Sequence, residues 1–262
     1  MQNLNNVWRK TASTLYKKPT DSKIFGSVDL DITELQAYIS QKRKEGLKIT
    51  LTHFFTIATG RAIRERIPEL NTYIKRGNVV SYPQIDATVS VLLRENEMGS
   101  VRVNNVDKHT LSTLVEHLKE GIRDAKKGTE NNTMQMKDRL GNIPWPFRNL
   151  VYWFIKKIII DLGFSIGPVN GSGLGSYIVS NIGSLGLDNG YPALFPASNV
   201  AMVLIMGGVK KVPLVIDDEV KIRTVINLGA ALDHRMVDAS HAGLLFKYYK
   251  YMVANPHLLE TT

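Results

Sequence analysis

The chain has 262 residues, 44% of them hydrophobic, which suits one large or two small globular domains and excludes a chain too polar to bury a core. It has no cysteine, so disulfides, thiol nucleophiles and thiolate metal sites are excluded. The start, Met1-Gln2-Asn3-Leu4-Asn5-Asn6, lacks an apolar signal core and reads as cytoplasmic, and the formal net charge of +9 fits an anionic partner (a phosphate-bearing small molecule, nucleic acid or an acidic membrane surface) or a soluble protein simply rich in lysine.

Residues 24–30 alternate as a strand. Asp31 and Glu34 are spaced as a capping box for a helix running to Lys44, with Gly46 at its C′ position. Thr50 or Thr52 opens a second helix through Phe54, Phe55, Ile57, Ala58, Ala62 and Ile63. Strands follow over 73–75, 79–82 and 88–93. Leu111, Leu114, Val115, Leu118 and Ile122 then form one helical stripe, and 127–140 is a polar loop. Residues 143–162 are apolar but interrupted by Arg148, Lys156, Lys157 and Asp161, too short to span about 30 Å of hydrocarbon. They read as a buried or subunit-covering helix, with a lid over an apolar site or an interfacial membrane contact as alternatives. The last third is strand-rich: 177–182, 200–207, 212–216 and 220–232, with Asp217-Asp218 as a hairpin turn. A helix over 239–254 carries Leu244, Leu245, Tyr248, Tyr249 and Met252 and stops at Asn255-Pro256. No internal repeat is visible. The pattern predicts an α+β sandwich, a mixed sheet with helices on one side.

Asp233-His234-Arg235-Met236-Val237-Asp238 sits between the last strand and the last helix. A histidine delivered there, with a carboxylate four residues later, suits an oriented general base. A half-buried structural histidine is the competing reading on these residues alone.

This string resembles a motif of the catalytic domain of the acyltransferase component of 2-oxo acid dehydrogenase complexes: Asp-His-Arg-x-x-Asp-Gly followed by a helix and an Asn-Pro ending, here Asn255-Pro256-His257-Leu258-Leu259. Three further blocks agree in order and rough spacing: Asp29-Leu30-Asp31-Ile32-Thr33-Glu34-Leu35, Ile67-Pro68-Glu69-Leu70-Asn71 and Val179-Ser180-Asn181-Ile182-Gly183. Chloramphenicol acetyltransferase is similar in the histidine motif. The resemblance implies a chloramphenicol acetyltransferase-like two-layer α+β sandwich, one catalytic domain over 1–262 with an inserted apolar helical segment around 143–162. It implies a homotrimer with active sites at subunit interfaces, and direct acyl transfer between coenzyme A and a thiol, hydroxyl or amine acceptor.

In that reading His234 is the general base, Ser180 the oxyanion donor, and Asp238 orients the site, with Arg9 or Lys17 as its cationic partner and Asn181 alongside. A strand-end hydroxyl satisfied by backbone is the plain alternative for Ser180. Asn227 and Asp233 are expected to be mainly structural. Two departures stand out: Ala239 replaces the family glycine, and Met98-Gly99-Ser100-Val101-Arg102-Val103 replaces the family's acceptor-side strand, which puts lipoyl recognition in doubt. His53, His109, His117, His241 and His257 lack ligand-like spacing, so no metal is expected. No lipoyl domain precedes the catalytic region, so no lipoyl group is carried on this chain and a lipoyl arm would come from another; a free small-molecule acceptor is favoured. Aromatic-basic interleaving is missing, so nucleic acid is not expected as a partner. The rival to catalysis is a non-catalytic trimeric scaffold or binding protein that keeps the fold.

Overall fold

Asp217 and Asp218 both take positive φ, 54° and 60°, the backbone of a two-residue hairpin turn. They join β7 (Met202–Ile216) to β8 (Glu219–Asp233), the two longest strands and the spine of the sheet. The computed structural model describes residues 22–94, 97–126, 143–144, 147–165, 172–194 and 198–262. Arg9 and Lys17, the candidate partners of Asp238, and the stretch 127–140 lie outside these residues.

On one side of the spine β1 (Lys23–Asp31) runs antiparallel to β8 and forms a free edge. On the other side β6 (Tyr177–Asn181) runs parallel to β7, then β4 (Ala87–Arg94) parallel to β6, and β5 (Glu97–Val103) antiparallel at the far edge. The sheet order is β1-β8-β7-β6-β4-β5, and β2 (Thr72–Lys75) with β3 (Asn78–Ser81) forms a separate hairpin. Residues 200–207 and 212–216, expected as two strands, belong to one. The register shifts between Met206 and Val209, and the Gly207-Gly208 pair takes up the irregularity without ending the strand. A Cβ on Gly207 would sit 1.7 Å from the Asp188 carbonyl oxygen, so the glycine also lets the loop after β6 cross the sheet.

One face of the sheet presents Tyr177, Val179, Met202, Leu204, Leu228, Ala230 and Leu232 to the core. Against it lie α1 (Thr33–Lys44), α2 (Leu51–Glu65), α3 (Leu111–Lys126) and α5 (Ala239–Ala254). Phe54, Phe55, Ile57, Ala58, Ala62 and Ile63 are all fully buried, so α2 is covered on every side and is the central helix of its layer. The result is the expected two-layer α+β sandwich with helices on one side.

The start of α1 differs from expectation. Its N-cap is Ile32, with no side-chain cap. The Asp31 carboxylate instead accepts from the Thr33 N–H (3.0 Å), the Thr33 hydroxyl (2.6 Å) and Arg223 Nε on β8 (2.6 Å), while Glu34 reaches the same guanidinium at 3.4 Å. A local capping box is thus replaced by an ion pair that ties α1 to the sheet. Gly46, at φ 95°, ends the helix as predicted. Within 143–162, α4 (Phe147–Lys156) continues as a π-helical turn over Lys157–Asp161. Ile159 is buried, but Phe147, Leu150, Trp153 and Phe154 face outward, so within the chain this is not the buried helix of the two expected forms.

Candidate active site

β8 ends at Asp233, which is 3% exposed. Its carboxylate accepts from the Arg235 backbone N–H at 3.0 Å, from Arg235 Nε at 2.9 and 3.0 Å, and from the Ser22 hydroxyl at 3.2 Å. Burial pushes this carboxyl up, and the bonds from Arg235 and Ser22 more than reverse it, leaving the group below the usual carboxylate range. Asp233 and Arg235 therefore build the turn that carries the residue between them.

That residue, His234, is exposed, and its backbone N–H donates to the Ser22 carbonyl at 2.8 Å. Its Nδ1 lies 2.8 Å from the Val237 carbonyl oxygen. A carbonyl only accepts, so Nδ1 carries the hydrogen and Nε2 keeps its lone pair. The ring is thus held in the tautomer a general base needs, by backbone alone.

Asp238, the next residue, is the N-cap of α5. Its Oδ1 accepts from the Ser240 N–H at 2.8 Å and the Ser240 hydroxyl at 2.6 Å. His241 Nδ1 lies 3.1 Å from the Asp238 N–H and 2.9 Å from Oδ1; unprotonated it accepts the N–H, protonated it donates to the carboxylate. The Ser240 hydroxyl, His241 and the Ser240 N–H hold this carboxyl well below the usual range. Ala239 is the first helical residue, and its methyl group leaves the helix start and its cap intact.

His234 and Asp238 border an open cleft of about 860 Å³ on the free edge of the sheet, walled by Phe25 and Ser27 of β1 and Gly243 and Phe246 of α5. Ser180 is not in it. Asp233 donates to the Ala201 carbonyl and Ala201 to the Ser176 carbonyl, so these three residues form one row across the sheet. Ser180 stands four residues beyond Ser176 and two strands from β8, which at about 3.3 Å per residue and 4.8 Å per strand is about 16 Å from the histidine turn. It alternates with the core-facing Val179, so it lies on the face away from the helices, and its hydroxyl has no hydrogen-bond partner among the described residues. Asn181 is occupied locally: its Oδ1 accepts the Ser184 N–H at 3.3 Å and its carbonyl accepts the Ser184 hydroxyl at 2.8 Å, shaping the loop after β6.

Arg102, in the stretch expected to depart from the family's acceptor-side strand, has structural partners. Arg102 pairs with the buried Asp86 at 2.7 Å and donates to the Gly173 carbonyl at 3.0 Å, fixing β5 to the approach to β6. Asn227, expected to be structural, donates to Asp29 on β1 at 2.8 Å. Sequence reasoning missed Ser22 and Val237, whose carbonyls position His234; both act through backbone, so no side-chain signal marks them. Among the described residues, no group of three His, Cys, Asp or Glu converges as a metal site, and no helix is long and apolar enough to cross a membrane.

Residues 167–261 match the family model of the 2-oxoacid dehydrogenases acyltransferase catalytic domain. The dihydrolipoyllysine-residue acetyltransferase component of the pyruvate dehydrogenase complex of Zymomonas mobilis is 22% identical over 258 residues, 97% of this chain and 49% of that protein. The chain thus spans about half the length of that curated relative. Among solved structures, a probable dihydrolipoamide acetyltransferase from Listeria monocytogenes aligns with a TM-score of 0.67 at 20% identity, covering 95% of this chain and 92% of that one. The Azotobacter vinelandii dihydrolipoamide acetyltransferase, studied for the role of a serine, a histidine and an asparagine in its catalytic mechanism, aligns at 0.66 and 15% identity, with coverages of 92% and 84%. A chloramphenicol acetyltransferase aligns at 0.52 and 14%, covering 95% and 96%. The chain shares the chloramphenicol acetyltransferase-like fold along nearly its whole length, and over residues 167–261 its sequence is similar to the acyltransferase catalytic domain of 2-oxoacid dehydrogenases.

Proposed function

We propose that the protein is an acyltransferase that moves an acyl group directly between coenzyme A and a thiol, hydroxyl or amine acceptor. The observation that carries this reading is His234, exposed in a cleft with Nδ1–H held by the Val237 carbonyl and Nε2 free. In the transfer, Nε2 takes the acceptor's proton as its sulfur, oxygen or nitrogen attacks the thioester carbonyl carbon. The tetrahedral oxyanion takes a hydrogen bond from a donor, a contribution of about 3 kcal/mol when such a group is well placed. The intermediate collapses by breaking the carbon–sulfur bond to coenzyme A, and the departing thiolate recovers the proton from Nε2. The free hydroxyl of Ser180 is that donor. In the Azotobacter enzyme the studied asparagine lies four residues after the histidine, the spacing of Asp238 from His234, and the serine precedes the histidine by 52 residues against 54 here.

Ser180 stands about 16 Å from the histidine turn of its own chain, so the two reach one reacting carbon only if they come from different copies. The active site is therefore completed between subunits of a homotrimer, with the open cleft at the β1 edge facing the neighbour. Asp238 positions rather than reacts. Its cap fixes the start of α5, and with it the Val237 carbonyl that holds the ring. Lipoyl-bearing and free acceptors both remain within this chemistry.

The test is coenzyme A release from a panel of acyl-CoAs with mixed acceptors, dihydrolipoamide among them. Loss of acceptor-dependent release by about 10³-fold in His234→Ala is the expected result. Equal release from both proteins sinks the assignment of the base. An oligomer that assembles and releases coenzyme A from no pairing is the scaffold. His234→Ala and Ser180→Ala chains, refolded together in equal amounts, should recover about a quarter of wild-type activity, because a quarter of the sites in random trimers then hold both intact groups. No recovery in mixed trimers would return both residues to one chain.

A further inference from the structure

The outward face of α4 has no role in the chemistry above. Phe147, Leu150, Trp153 and Phe154 recur at i, i+3, i+6 and i+7, on one side of the helix, and are 64%, 54%, 55% and 51% exposed. Four large apolar groups side by side on a surface mark a contact. The helix and its π-helical turn, Phe147–Asp161, are 15 residues, about 22 Å at 1.5 Å per residue, short of the roughly 30 Å of a bilayer core. Such an element lies along a bilayer rather than through it.

The charges around this face are mostly positive. Lys156 ends the helix and Lys157 continues the aromatic side, 3.4 Å from Asp161, the one carboxylate of the segment. Arg76, at the tip of the β2–β3 hairpin, has its guanidinium 5.0 Å above the Phe164 ring and donates to the Asp161 and Leu162 carbonyls at 3.1 Å. It therefore adds a positive charge and a half-exposed aromatic ring at the C-terminal end of the same element. Tryptophan and phenylalanine beside lysine and arginine are the composition of a helix seated at the headgroup boundary, and the chain as a whole carries +9. We propose that the aromatic face of α4, with Lys156, Lys157 and Arg76, docks on an anionic lipid bilayer surface. The location matters for the site: the turn after α4 and Arg235, next to His234, line one cleft of about 340 Å³, so a bilayer bound here lies beside the histidine turn.

The experiment is co-sedimentation of the full chain with phosphatidylcholine vesicles, with and without roughly a quarter phosphatidylglycerol. Wild type should pellet about tenfold more with the anionic vesicles, and the difference should vanish near 0.5 M salt. Trp153→Glu with Phe154→Glu, and separately Lys156→Glu with Lys157→Glu, should each lower binding about tenfold or more, with unchanged sedimentation velocity and thermal melting. Lys157 is exposed and Lys156 half-buried, neither in the core, so the lysine pair guards against a folding failure in the aromatic pair. No wild-type binding to anionic vesicles overturns the proposal. So does a change of oligomeric state in either variant, which would make the face a contact between copies of the chain.

Discussion

Two helices of this molecule open with the same device in different surroundings. At α2, His53 N–H donates to the Thr50 hydroxyl at 3.4 Å and Thr50 N–H donates to His53 Nδ1 at 3.2 Å. At α5, Ser240 N–H donates to the Asp238 carboxylate at 2.8 Å and Asp238 N–H donates to His241 Nδ1 at 3.1 Å. Both satisfy orphan N–H groups of a first turn by a cap and a histidine three residues on. The first helix runs through the core, and burial, with the charge of Arg43 adding to it, pushes His53 down to about 4. The second starts in the His234 cleft with a charged cap held below the usual carboxylate range. One start is an element of stability. The other fixes the Val237 carbonyl and thereby a candidate base, so the same local grammar takes its meaning from what packs around it.

The largest stability effect expected from this contrast is an acid weakness seated at His53. The native pKa near 4 lies below the ordinary 6.5, so the folded protein keeps this ring neutral where the unfolded chain binds a proton. The contribution is whole above about pH 6.5, declines as pH falls, and is gone below about pH 4, amounting to about 3 kcal/mol. His53→Gln keeps an acceptor at N3 and does not titrate. Denaturant midpoints measured from about pH 7.5 to pH 4 should fall less steeply in the variant, and parallel curves would remove His53 as the cause.

At the other helix start the anchor is Asp233. Asp233→Ala takes away the partner of Arg235 and Ser22 at a buried position, with an expected loss of about 2 kcal/mol. The turn that carries His234 loosens with it, so kcat should fall more than stability alone explains at temperatures where the variant is fully folded. An unchanged kcat there would show that the Val237 carbonyl alone holds the ring.

What was legible in the sequence follows the reach of each interaction. The Asp217-Asp218 turn, Gly46 and the strand-to-helix placement of His234 are decided within a few residues, and the structure keeps them all. The capping box expected of Asp31 and Glu34 gives way to Arg223, 192 residues from Asp31, which takes Asp31 Oδ2 and reaches Glu34, while Oδ1 keeps its local bonds to Thr33. The separation of Ser180 from His234 depends on sheet order, which places β7 between β6 and β8, and no local spacing encodes that. The π-helical turn after α4 and the outward aromatic face were likewise hidden, because a run of apolar residues does not state which side it buries.

The smallest expected effect separates the two jobs of Asp238. Asp238→Ala loses the cap of α5, about 1 kcal/mol, and lets the Val237 carbonyl drift from Nδ1. A positioning role, in which this oxygen holds the helix start and not the substrate, then predicts a fall of about tenfold in kcat with KM held. Asparagine caps as well as aspartate, so Asp238→Asn should retain both stability and most of the activity. If asparagine proves as damaging as alanine, the charge and not the cap is what the site needs. The search for its cationic partner would then turn to Arg9 and Lys17, ahead of the first strand.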